Sequence, residues 1–141
     1  MIVRFVFDSS AVVAYAHGSA NVGELVSELS DEADELSIDL GFTVPSVCLV
    51  AAAGDAPKVL DAIRLLASHS RCQIGQSDIN RWMSANARLS DLELSAVATE
   101  VFDAIDANAD QLADDQVYVV TAAPERYLNP VLDGLDLIDV R

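Results

Sequence analysis

Ile2-Val3-Arg4-Phe5-Val6-Phe7-Asp8-Ser9-Ser10 is the stretch on which the fold turns. Five apolar, β-branched and aromatic positions, broken only by Arg4, predict a buried first strand. Asp8-Ser9-Ser10 then offers helix-capping side chains, and Ala11 to Ala16 continues as a short helical turn. A buried strand running straight into a helix is the opening of an α/β domain. A carboxylate at such a junction lies where open parallel sheets collect functional groups, at a strand's carboxyl end.

Working outward, Val22 to about Leu40 reads as an amphipathic helix. Leu25, Val26, Leu29, Ala33 and Leu36 form its apolar stripe, acids fill the opposite face, and Gly41 is the expected stop. Val47 to Ala53 is uniformly apolar and fits a buried helix or a strand equally well. Pro57 opens the next helix, with Val59, Leu60, Ile63, Leu66 and Ala67 on its buried face. A short strand is expected around Cys72 and Ile74. One helix should follow Ser77-Asp78, with Trp82 and Met83 in its packing. Another should follow Ser90-Asp91, with Leu92, Val97, Ala98, Val101, Phe102 and Ile105 as its apolar positions. Val117 to Thr121 is the clearest late strand, Pro124 to Tyr127 a turn opening a short helix, and Leu135 to Val140 a final edge strand. Strands alternating with helices predict a three-layer α/β/α domain around a mainly parallel sheet of four or five strands. The 141 residues fit a single domain, 1–141.

The net charge of −15, from 23 acidic and 8 basic residues, disfavours nucleic acid as a partner. Phosphate backbones select basic surfaces, and the basic residues here form no run. No apolar run is long enough to span a membrane, and Asp8-Ser9-Ser10 breaks any signal-peptide reading of the amino terminus. Cys48 and Cys72 form no CxxC or Cys/His cluster. Two free, buried thiols suit a reducing cytoplasm.

Four segments in order carry a resemblance to the PIN-domain family. The opening Phe5-Val6-Phe7-Asp8-Ser9-Ser10-Ala11 is similar to the family's first strand and first catalytic aspartate. Val44-Pro45-Ser46-Val47-Cys48-Leu49-Val50-Ala51 resembles the segment with the family's glutamate, where this chain has Ala51. Leu89-Ser90-Asp91-Leu92-Glu93-Leu94-Ser95-Ala96 resembles the helix presenting a third acid. Glu93 aligns there, with Asp91 an alternative, and a shifted register would bring Asp103 or Asp106 to that place. Val119-Val120-Thr121-Ala122-Ala123-Pro124-Glu125-Arg126-Tyr127 resembles the late strand and turn, with Ala123 where a fourth acid belongs.

Active members of that family are metal-dependent ribonucleases, often the toxins of bacterial toxin–antitoxin pairs. The resemblance therefore implies Asp8 and Glu93 as remnant catalytic and metal-binding residues, Mg²⁺ or Mn²⁺ if the chain is active, and a cytoplasmic setting. It also implies a homodimer or antitoxin-like contact in the Val22 to Leu40 region. Two-metal phosphoryl chemistry needs carboxylates that hold ions about 4 Å apart. Alanine offers no lone pair, so Ala51 and Ala123 make the site degenerate and point to a pseudoenzyme that works by binding, with no cofactor. A residual Mg²⁺/Mn²⁺-dependent ribonuclease is the alternative.

Other readings are weaker. Ser9 and Ser10 lack a base, and His17 and His69 lack a partner motif. Asp106 to Asp110 begins like an EF-hand loop, but Gln111 and Val117 stand where glycine and a bidentate glutamate belong. A receiver or nucleotide-binding domain is disfavoured. There is no phosphate loop, no GxGxxG, and the one lysine, Lys58, falls in an early helix.

Overall fold

The computed structural model describes residues 2–75, 91–107, 116–128, 132 and 134–141. Strand β1 (Ile2–Phe7) occupies the centre of a five-stranded, all-parallel sheet. Chain order continues with helices α1 (Ser9–Ala16) and α2 (Ala20–Leu36), β2 (Asp39–Pro45), α3 (Ser46–Asp55) and α4 (Leu60–Ala67). Then come β3 (Cys72–Gly75), α5 (Leu92–Ala107), β4 (Gln116–Thr121) and β5 (Asp136–Asp139). The strand order is β3-β2-β1-β4-β5, and the helices flank the sheet. The three-layer α/β/α architecture predicted from the alternation of strands and helices is the one observed.

Register explains the core. Phe5 pairs with Phe42 of β2 and Tyr118 of β4, so these rings share one face of the sheet, with Phe7 beside them. Phe5 and Tyr118 stack at 5.5 Å, and Phe42 meets Phe7 edge-on at 5.7 Å. The opposite face is polar towards β2: Arg4 reaches across Gly41 to Asp39, 3.2 Å away. Burial on both faces of β1 favours its nearly unbroken apolar run.

Several expectations need correction. The helix predicted from Val22 to Leu40 ends at Leu36. Ser37 closes it in the left-handed conformation (φ 56°), and Asp39–Pro45 forms β2, an internal strand. Leu36 is accordingly exposed, while Val22, Val26 and Ala33 face the core. Arg71 fastens α2 to the sheet, pairing with Asp34 and donating to the Leu40 carbonyl. The ambiguous segment after Val47 is helix α3, and Pro57 opens a 3₁₀ turn ahead of α4. Leu60, Phe102 and Ile105 are exposed in part, and Cys72 is only half-buried. The helix expected after Ser77, with Trp82 and Met83, lies outside the described residues. So do Gln111 and most of the expected calcium-loop stretch. No helix among the described residues is long and apolar enough to cross a membrane.

The sequence of crossovers positions the site. From β1 the chain moves outward through β2 to β3, then returns past β1 to β4 and continues to β5. The carboxyl ends of β1 and β4 thus flank a topological switch point, where neighbouring connections diverge and leave a crevice.

Candidate functional site

Asp8 and Thr121 end the two strands that flank this crevice. Asp8 donates its backbone N–H to the Val120 carbonyl at 3.3 Å, which locks the junctions together. Asp8 is fully buried. Its Oδ1 accepts from the Ala11 backbone N–H at 3.0 Å and from the Ser10 hydroxyl at 2.6 Å, so the carboxylate caps α1. Its Oδ2 accepts from the Tyr127 hydroxyl at 2.9 Å.

Ser10 joins this network to β4. Having donated to Asp8, its Oγ accepts from the Ala122 backbone N–H at 2.9 Å and lies 3.2 Å from Thr121 Oγ1. Thr121 Oγ1 in turn accepts from the Ala123 N–H at 3.0 Å. Ser10 therefore ties the helix α1 entrance to the end of β4.

The second acidic group comes from the start of α5. Asp91 Oδ1 accepts from the backbone N–H groups of Glu93 (3.0 Å) and Leu94 (3.2 Å), capping the helix. Its Oδ2 pairs with Arg126 Nη2 at 3.0 Å, and the same nitrogen lies 3.5 Å from Glu93 Oε2. Glu93 Oε1 is buried and has no hydrogen-bond partner. Arg126 stands on the 3₁₀ turn Pro124–Tyr127, immediately before the tyrosine that holds Asp8.

The electrostatics join these groups. Burial opposes the Arg126 charge, but the Asp91 hydrogen bond and the fields of Glu93, Asp91 and Asp8 outweigh it and raise its basicity. Tyr127 is pushed up by burial, then by the charge and hydrogen bond of Asp8. The Cys48 thiol, fully buried on α3, is also pushed up, by burial first and then by Glu93 and Asp8. Cys48 therefore feels both carboxylates. Ala51, one turn further along α3, lies on the same side of that helix.

The sequence-predicted residues Asp8 and Glu93 thus belong to one electrostatic neighbourhood at the switch point. Ala123 lies beside it at the end of β4, and Ala51 follows Cys48 on α3. Asp103 and Asp106 lie further along α5, roughly three helical turns or more past Glu93. His17 caps the end of α1. His69 packs edge-on against Phe42 and accepts from the Arg71 N–H, so neither histidine joins the cluster.

Tyr127 and Arg126 are the residues that local reading missed. The only signal was their adjacency in a turn after the late strand; the contact with Asp8 spans 119 residues. A mainly apolar hollow of about 430 Å³ is elsewhere. It lies under α2 at the amino halves of the strands, lined by Val3, Phe5, Leu25, Leu29, Leu40 and Tyr118.

This donor set does not fit a catalytic pair of divalent metals. Both Asp8 oxygens are engaged inside the protein, Asp91 is divided between a helix cap and an arginine, and the two alanines supply nothing. Among the described residues, no group of three or more acidic, histidine or cysteine side chains is arranged to hold a metal ion. A divalent ion about 4 Å from the guanidinium would also meet a repulsion of roughly 8 kcal/mol, twice the value for unit charges near a protein surface. Compared with protein-family models, with curated proteins and with solved structures, the chain shows a significant match to none.

Proposed function

We propose that the chain is a PIN-like domain whose former metal-site carboxylates now serve the fold, and that it works by binding a protein. The occupant we favour is a second copy of the chain or an antitoxin-like partner, in a cytoplasmic setting. The observation that carries this reading is the state of Asp8, buried with both oxygens hydrogen-bonded to Ala11, Ser10 and Tyr127. A ligand carboxylate must offer lone pairs to its metal, and three of the roughly four acceptor sites of this one are taken by the α1 backbone, Ser10 and Tyr127. The lack of donors at Ala51 and Ala123 supports the same reading. The described arginines argue against RNA as the partner. Arg4, Arg64, Arg71, Arg126 and Arg141 each pair with an acid of this chain, which leaves their charge internally matched.

A residual Mg²⁺- or Mn²⁺-dependent ribonuclease is the second reading. One observation favours it: Glu93 Oε1 is a buried acceptor with no partner, which a cation would satisfy.

Light scattering on the purified chain tests the binding reading. A discrete dimer is expected in the micromolar range, with α2 at the contact, so that Leu36→Asp on its exposed end weakens the dimer at least tenfold. A monomer at every concentration, with no complex formed when candidate partners from the same operon are added, counts against it.

A further inference from the structure

We infer that Arg126 is the resident cation of the Asp91–Glu93 carboxylate pair and that it keeps divalent metal out of this site. The inference rests on the geometry of these side chains and does not require the PIN-like reading. Arg126 Nη2 stands between the two carboxylates, 3.0 Å from Asp91 Oδ2 and 3.5 Å from Glu93 Oε2. All three side chains are roughly a quarter to a third exposed, so the charges are only partly screened by water.

The guanidinium is delivered by a turn fixed from both sides. The Arg126 N–H donates to the Ala123 carbonyl at 3.0 Å, and the next residue, Tyr127, is anchored on Asp8. A guanidinium stays protonated throughout the usable pH range, so this is a permanent positive charge. It occupies one oxygen of each carboxylate, and of the pair's four oxygens Glu93 Oε1 is the one with no hydrogen-bond partner among the described residues. A single carboxylate oxygen beside a fixed cation is a poor seat for Mg²⁺ or Mn²⁺, which require several oxygen donors.

The same geometry predicts what happens when the arginine is removed. Asp91 and Glu93 then become two partly buried carboxylates without a counter-charge, and a divalent ion becomes their best available partner. Metal sensitivity should therefore appear in the variant and be absent from the wild type.

The test is thermal unfolding and calorimetric titration with MnCl₂, on the full chain, at constant ionic strength. Wild-type protein is expected to shift by less than 1 °C and to show no stoichiometric heat. Arg126→Met is expected to melt several degrees lower in chelator, to recover most of that loss with Mn²⁺, and to bind about one ion. Glu93→Gln in that background should weaken the binding at least tenfold. Arg126→Gln, which retains a hydrogen bond to Asp91, serves as the second variant should the methionine variant fail to fold. Stoichiometric Mn²⁺ binding by the wild type overturns the inference. So does a folded arginine-less variant, methionine or glutamine, that is indifferent to Mn²⁺.

Discussion

Asp8→Ala is expected to destabilise the fold by about 3 kcal/mol, lowering the melting temperature by roughly 10 °C. Two losses add. Removing the cap of α1 leaves the Ala11 N–H without its acceptor, a cost of about 0.5–2 kcal/mol. The buried Tyr127 hydroxyl loses its Asp8 partner, which costs about 1–3 kcal/mol. Relief from burying a carboxylate offsets part of this. Asp8→Asn should cost only about 1 kcal/mol. Its amide oxygen keeps the Ala11 and Ser10 bonds, and its amide nitrogen can donate to the phenol. Paired urea unfolding curves for the two variants check this order. An alanine variant as stable as the wild type, or more so, would mark Asp8 as a functional carboxylate held at the expense of stability.

Raising the pH from about 8.5 to 11 is expected to remove roughly 3–4 kcal/mol of stability, at about 1.4 kcal/mol per pH unit for each affected group. The groups are Cys48 and Tyr127, both of whose folded pKa values are raised above their ordinary range, chiefly by burial. Below the ordinary pKa of each, folded and unfolded chains are equally protonated and stability is unaffected. Above it the unfolded chain ionises while the folded chain cannot, so stability falls as pH rises. Cys72, pushed up to about 11 by burial, acts in the same direction but more weakly because it is only half-buried. Urea unfolding across this range should show the loss beginning near pH 9. Cys48→Ala should flatten its first part and Tyr127→Phe its part above pH 10. Stability unchanged up to pH 11 would contradict the burial of both groups.

The sequence made some parts of this architecture legible and hid others for physical reasons. β1, the α1 cap and β4 are local patterns: a run of apolar residues, a capping aspartate, a β-branched stretch. Each could be read without knowing its neighbours. β2 was hidden because the helical pattern runs through to Leu40 with Gly41 as its stop. Its alternation of Leu40, Phe42 and Val44 is nonetheless what the sheet buries. Pro45 is tolerated there because it is the last residue of the strand, paired with Gly75 at the end of β3. Leu36 looked like core because it extends the apolar stripe, yet Ser37 ends the helix there and leaves it in solvent.

The site divides in the same way. Asp8 was visible because its role begins with the helix directly after it. Tyr127 and Arg126 were not, because what they do depends on partners brought close only by the β1–β4 pairing and by packing of α5. No local pattern distinguishes an arginine facing solvent from one placed between two carboxylates.

Cleavage of single-stranded RNA in Mn²⁺, measured side by side for wild type and Asp8→Asn after both are shown to be folded, tests the central claim most directly. The account predicts that both preparations behave alike, with no cleavage above that of buffer. Cleavage by the wild type that disappears in Asp8→Asn would contradict it, and would make this chain a ribonuclease.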